Sequence, residues 1–232
     1  MKEIRDRLEV LEANLPRRVD AMAVSSSRLP SKVLWYREAL IWRMVDLARA
    51  AFQSFEQNTL VSGIVLTRAV VETSAALWYL WAKVDAAVQS NAVGDIDDYL
   101  MKLVIGIATT APNAQPSDPE FPRPVKVGKF LEQVEKDIPG FSHQYGILSE
   151  YAHPNWSGTL LLYAKHNKET RTTDFGKNMR CGENAKVIGV GNLSVALEIF
   201  AAKYTQIGDL MPAFITLCES RCDGLHHSCA TP

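Results

Sequence analysis

Apolar residues recur at helical spacing along most of the chain. Ile4, Leu8, Leu11 and Leu15 form one stripe within residues 2–22, with charges between them. This predicts an amphipathic helix that Pro16 ends or kinks. Ser25-Ser26-Ser27-Arg28-Leu29-Pro30-Ser31 reads as a linker, with Ser31 placed to cap the next helix. A helical pattern then runs from Lys32 to about Phe55 through Leu34, Trp35, Leu40, Ile41, Met44, Val45 and Leu47. Asn58 is placed to cap a further helix reaching about Val88, and Asp95 opens another through about Ala108.

The second half is more broken. Pro112, Pro116, Pro119, Pro122 and Pro124 mark residues 111–124 as a loop. A short helix, Val127 to Asp137, comes next. Pro139-Gly140 interrupts, and a helix resumes from Phe141 to Ala152, stopped by His153-Pro154. Thr159–Ala164 and the Thr-rich Thr170–Phe175 suggest two strands of a β-hairpin. A long helix with Leu193, Leu197, Phe200, Ile207, Leu210, Phe214 and Leu217 fills Glu183 to Cys222, kinked at Pro212. The expected architecture is all-α, a multi-helix bundle with one small β-hairpin insertion. Residues 1–30 would be an N-terminal helix and linker, 31–222 the bundle with its hairpin at about 159–175, and 223–232 a flexible tail.

Charge is nearly absent from the most apolar stretch. Between Gln57 and Ala82 only Arg68 and Glu72 are charged, among Val61, Ile64, Val65, Leu66, Val70, Val71, Ala75, Leu77 and Trp78. Apolar residues on nearly every face predict a central, largely buried helix. Arg68 and Glu72 are four apart and share a face, in the basic-then-acidic order that is weaker for a surface pair. A buried charge must be paired and hydrogen-bonded. The pair therefore reads as a structural ion pair or as the wall of a polar pocket, Arg68 offering its fork to an anion and Glu72 holding it. If buried and structural, loss of Arg68 would cost about 3–5 kcal/mol.

Composition narrows the class. The chain has 232 residues, 25 Lys and Arg against 26 Asp and Glu, and 47% apolar residues. Such a balance argues against disorder and against a surface built wholly for nucleic acid. The charged start, Met1-Lys2-Glu3-Ile4-Arg5, has no apolar leader, and Arg68 and Glu72 interrupt the best candidate span. The expectation is a cytoplasmic protein without a membrane segment, its four cysteines present as thiols. No cofactor is expected. Cys218, Cys222, His226, His227 and Cys229 lie close together, but their spacing matches no familiar zinc knuckle, so no metal is expected there. Lys165, His166, Lys168, Arg171, Lys177, Arg180 and Lys186 give the hairpin region a local basic excess that can meet phosphates. Gly189-Val190-Gly191 lacks the strand and third glycine of a dinucleotide turn.

A second chemical candidate lies at a helix end. Tyr145, Ser149 and His153 recur every four residues and line one stripe. His153, in the last turn, meets the negative end of the helix dipole, which favours its cation and suits either capping or acid–base work. Asn155 and Trp156 come next, on a turn beside the same space. A carboxylate–histidine metal site from Glu72 and His153 lacks the Glu-x-x-His pairs of di-metal bundles and ranks last.

Arg68-Ala-Val-Val-Glu72 in an apolar helix, with Leu148-Ser149-Glu150-Tyr151-Ala152-His153-Pro154, resembles a family of uncharacterised bacterial helical proteins. Its members pair an R-x-x-x-E helix with an L-S-x-x-x-H-P segment and a short extended stretch. The resemblance covers about residues 35–220. It implies an all-α fold and a shared polar site from Arg68, Glu72, Ser149 and His153. The family is in turn distantly similar to the HEPN group of small helical dimers, many of them ribonucleases or toxin components. Those use an Arg and a His on one helix with four to six residues between them, whereas Arg68 and His153 are 85 positions apart here. Arg221-Cys-Asp-Gly-Leu-His226 matches that spacing, but Gly224 is expected to break the helix.

Two functions stand as expectations. One is a non-catalytic or regulatory module, a possible homodimer, binding a small anionic ligand through Arg68, Glu72, Tyr145, Ser149, His153 and Asn155. The other is a metal-independent ribonuclease acting on RNA. There His153 would be general acid or base, Arg68 would stabilise phosphorane charge, and Glu72 would orient Arg68.

Overall fold

A computed structural model describes residues 1–108 and 121–226, without the side chains of residues 21, 22 and 221–226. The element order is α1 (Lys2–Ala13), α2 (Ala21–Val24), α3 (Arg28–Glu56), α4 (Leu60–Gln89), α5 (Ile96–Val104), α6 (Val127–Glu135), α7 (Phe141–Ala152), α8 (Leu160–Tyr163), β1 (Ala164–Asn167), β2 (Thr172–Phe175) and α9 (Gly182–His226). The chain is an all-α bundle carrying one two-stranded antiparallel hairpin.

The apolar stretch around Arg68 becomes α4, the centre of the bundle. It packs chiefly against α9 and α3, with α6 and α7 along its remaining side. Its buried residues include Ile64, Val70, Val71, Ala75, Leu77, Leu80 and Val84, on several faces of the helix. The ring of Phe55 fills a notch where α3, α4 and α9 meet. A Cβ on Gly63 would lie 2.6 Å from that ring and one on Gly189 2.4 Å, so these glycines let the helices close on Phe55. Gly189 and Gly191 thus lie inside α9, with no dinucleotide turn. By length and hydropathy alone, α4 and α9 could each cross a membrane, despite Arg68 and Glu72, and most of the apolar window of α4 is buried within the bundle. Passing that test is weak evidence for a span, because a buried core helix satisfies it too.

Several boundaries move. The first helix ends at Ala13, before Pro16, and its buried Ile4, Leu8 and Leu11 join the main core. Ser27, not Ser31, caps α3, accepting a hydrogen bond from the Leu29 amide, and Pro30 fits the uncommitted first turn. Asn58 does not cap α4. It takes a left-handed φ of 59° in the turn before Thr59, a conformation asparagine tolerates. The helix after Asp95 ends at Val104, short of Ala108. Most of the proline-rich loop, residues 109–120, lies outside the described residues.

The first strand of the hairpin shifts toward the C-terminus, while the second falls within its expected range. Leu160–Tyr163 is a helical turn, and the strands are Ala164–Asn167 and Thr172–Phe175. Leu161 and Leu162 are both buried, which a strand with alternating faces does not allow. The backbone of α9 runs through Gly224 to His226, so Gly224 does not end it as expected. Pro212 lies inside this helix. Of the C-terminal thiol–imidazole group, Cys218 is buried, while Cys222, His226, His227 and Cys229 fall outside the described side chains.

Candidate functional site

The ends of α7 are set by local chemistry. Gly140 has φ 90°, a left-handed turn open to glycine, and directs the chain into the helix. Glu135 then accepts the amides of Gly140 and Ser142, both at 2.7 Å. Those amide bonds, first the Ser142 one, hold the Glu135 carboxyl below its usual range. The far end stops at His153, whose extended backbone ends the helix before Pro154. Gly158 comes back against this end. A Cβ there would lie 2.0 Å from the His153 carbonyl oxygen, so the turn requires a bare backbone.

Held this way, α7 lays Tyr145 across α4. The Tyr145 hydroxyl donates to Glu72 Oε1 at 2.6 Å and accepts from Arg68 Nε at 2.9 Å. Arg68 Nε also stands 3.3 Å from Glu72 Oε1. The phenol thus bridges the two charges that α4 carries. This hydrogen bond from Arg68 to Tyr145 is the main cause of a raised guanidinium pKa, with Glu72 adding to it. Burial raises the Tyr145 hydroxyl pKa, and its bond to Glu72 acts in the same direction. The pair is not sealed: the Arg68 and Glu72 side chains are 32% and 24% exposed. The helix is largely buried, as its pattern predicts, and the pair sits at its half-exposed edge. Val71 and Thr73 turn inward, while Arg68 and Glu72 emerge at the α4–α7 seam. Neither terminal nitrogen of Arg68 has a hydrogen-bond partner among the described residues.

The other expected site residues are placed elsewhere. Ser149 donates to the Tyr145 carbonyl, 3.0 Å away within its own helix. Asn155 donates to Glu150 at 2.7 Å and accepts the Gly158 amide at 3.1 Å, which fixes the turn after α7. His153 is exposed, and its side chain has no hydrogen bond or ion pair to a described residue. Its Cα lies eight residues beyond that of Tyr145, roughly 12 Å along the helix axis. The side chains of Arg68, Glu72 and Tyr145 are therefore brought together, Ser149 meets only the Tyr145 backbone, and His153 and Asn155 are not joined to them. Glu72 and His153 share no contact that would hold a metal. Among the described residues no three His, Cys, Asp or Glu side chains cluster as metal ligands.

Glu72 also faces a cavity, whose other walls the sequence did not reveal. A space of ≈ 380 Å³ between α3, α4, α5 and α6 is lined by Tyr36, Arg43, Glu72 and Thr73 at its polar part. Leu40, Ala76, Leu103 and Phe130 are among its apolar walls. Arg43 Nε donates to Thr73 Oγ1 at 3.2 Å, and no carboxylate among the described residues pairs with this guanidinium. Burial pushes the Tyr36 hydroxyl up to about 12, so it stays a neutral donor. A separate cavity of ≈ 440 Å³ between α4, α7 and α9 has only His143, Gln144 and Asn192 as polar side chains, too few to converge on a charge.

Two further charged groups escaped the sequence pattern. Arg37 and Glu38 form an ion pair at the α3–α9 contact, with side chains only 13% and 12% exposed. Arg37 Nε and Nη2 donate to the Tyr204 carbonyl at 3.1 and 3.0 Å, and the Tyr204 hydroxyl donates to Glu38. Lys203 is buried with its ammonium 3.0 Å from the ring centre of Trp81 and 4.0 Å from that of Trp78, bonded to Gln206. Burial lowers its pKa, against the opposing pull of Asp137 and Asp85. Adjacent residues such as Arg37 and Glu38 do not face each other on a helix, so nothing in their spacing signalled a pair.

No protein-family model matches this sequence, and comparison with curated proteins and with solved structures likewise yields no match.

Proposed function

We propose that the chain is a non-catalytic binding module whose site is the cavity at Arg43 and Glu72. Its ligand is a small apolar molecule ending in a carboxylate. One observation carries the reading. Arg43 is an exposed residue at the cavity's edge, bonded through Nε to Thr73 and in no ion pair with a described residue, while Glu72, the carboxylate that lines the same cavity, is already matched by Arg68 and Tyr145. Neutralising Glu72 removes the repulsion that an entering anion would otherwise meet. Arg43 offers the planar fork that suits a carboxylate, and the Leu40, Ala76, Leu103 and Phe130 walls take an apolar body. A dimer is compatible with this reading and not required by it.

The ribonuclease reading asks His153 and Arg68 to act on one phosphate. With no contact between His153 and the Arg68–Tyr145–Glu72 group, the binding reading accounts for more of the geometry.

Calorimetric titration with hexanoate and phenylacetate tests it. Saturable binding by the wild-type chain, lost or weakened about tenfold in Arg43→Gln, is the expected result. Absence of binding to both acids, or equal binding by the variant, would remove the proposal.

A further inference from the structure

The α8–hairpin lobe carries a second surface, unrelated to the cavity. The ribbon β1–β2 stands out from the bundle, with α8 as its main neighbour. Every residue of both strands except Ala164 is exposed. The side chain of Asn167 accepts the amides of Glu169 and Thr170 at 2.9 and 3.3 Å, which stiffens the turn at the tip. Cations run along the whole feature: Lys168 and Arg171 in the tip turn, Lys165 on β1, and Lys177 and Arg180 at the base. Against Glu169 and Asp174 this gives a net charge of +3 over residues 164–180 of a chain whose total is −1. None of the five cations is in an ion pair with a described residue, although Lys165 is registered opposite Asp174.

Aromatic rings accompany these charges. Phe175 is 73% exposed and Trp156 58%, and Tyr163 between them is also exposed. The Trp156 carbonyl accepts the Leu161 amide at 2.9 Å, which ties that residue to α8 and so to the base of the ribbon. Neither Phe175 nor Trp156 stacks on another described ring or cation. The Gly176 amide donates to the Tyr163 carbonyl at 3.0 Å, so Tyr163 and Phe175 share the base of the ribbon, and rings gathered in this way, unlike rings scattered singly, mark contact surfaces.

We propose that this lobe binds single-stranded RNA. Unpaired cations along a protruding ribbon match successive backbone phosphates, and the free faces of Phe175 and Trp156 match unstacked bases. Thr172 Oγ1 lies 2.8 Å from Thr170 Oγ1 and Thr173 Oγ1 3.0 Å from His166 Nδ1, and each hydroxyl keeps a lone pair that can accept from a ribose 2′-hydroxyl, a contact DNA lacks. A lipid surface suits the composition less well, because the cations extend from base to tip rather than ringing the aromatic residues in one plane. The near-neutral total charge restricts the attraction to this one lobe.

Fluorescence anisotropy of the full chain with a labelled uridine oligomer of ~15 nucleotides tests the assignment. Binding should weaken roughly 50-fold between about 50 and about 200 mM salt, as about four neutralised phosphates require. Lys165→Glu with Arg171→Glu should weaken it by about tenfold or more and flatten the salt slope. Phe175→Ala should weaken it about tenfold with the slope unchanged. Each of these exposed changes should leave the circular dichroism spectrum and melting curve intact, which separates lost binding from lost folding. Absence of binding, or affinity unaffected by the variants, overturns the proposal. So does equal affinity for polyphosphate, for a thymidine oligomer or for duplex RNA, and so does capture by phosphatidylserine vesicles without any by RNA.

Discussion

Among the described residues the bundle holds two Arg–Tyr–Glu groups, and they differ in what they leave free. In the α3–α9 group, all three guanidinium nitrogens of Arg37 are engaged, by the Tyr204 carbonyl and by Glu38. Its ring stacks beneath that guanidinium, 3.5 Å from the Arg37 carbon, and Gly208 leaves the room for the approach. Burial, reinforced by the bond to Glu38, raises the Tyr204 hydroxyl pKa far above its usual value. The α4–α7 group uses only Nε of Arg68, is two to three times as exposed, and shares Glu72 with a cavity. The same three residue types thus make a closed clamp in one place and an open relay in the other. A closed network contributes to helix docking, whereas the open one leaves the terminal nitrogens of Arg68 unengaged and puts Glu72 on a cavity wall.

The largest expected effect separates the two arginines. Arg37→Ala leaves Glu38 nearly buried without its cation and should cost about 3–5 kcal/mol in urea denaturation. Arg68→Ala, at a partly exposed pair, should cost only about 1 kcal/mol. Equal losses would break the comparison.

Removing the hydroxyls gives a smaller contrast. Tyr204→Phe strips a donor from a buried carboxylate and should cost about 1–3 kcal/mol. Tyr145→Phe should cost about 0.5–1.5 kcal/mol, since Arg68 still reaches Glu72 and water can replace the phenol. Denaturation midpoints of the two variants, measured side by side, give the ratio.

The smallest effect concerns how α7 is held against α4. The Glu135 pKa is depressed in the fold by the Gly140 and Ser142 amides, so its contribution is present above the usual carboxylate pKa. That contribution disappears as pH falls through the lower, folded value. Glu135→Gln should therefore lower the melting temperature at neutral pH, with the gap to wild type closing in acid. A gap independent of pH would show that the charge on Glu135 does not hold the helix end.

Legibility in the sequence tracked the strength of the local signal. Both ends of α7 were readable, because Pro139-Gly140 and Pro154 limit the chain whatever packs around it. The centrality of α4 was readable from its missing charges, and so was the Arg68–Glu72 pair. The part played by Tyr145 was only half visible, since its stripe pointed to Ser149 and His153, whose roles turn out to be local or uncontacted. Thr159–Ala164 was misread because a short apolar run fits a strand and a buried helical turn equally. The Arg43 cavity left no trace, as its walls come from four helices. The Arg37 clamp was hidden because its third member lies 167 positions away on α9.

On the proposed reading the Arg68–Tyr145–Glu72 relay serves a ligand site rather than the fold. Hexanoate titration of Arg68→Ala, paired with its denaturation curve, tests this most directly. Leaving Glu72 uncompensated at the cavity should weaken hexanoate binding about threefold to tenfold while stability falls by only about 1 kcal/mol. Unchanged hexanoate affinity, or a stability loss matching that of Arg37→Ala, would contradict the account.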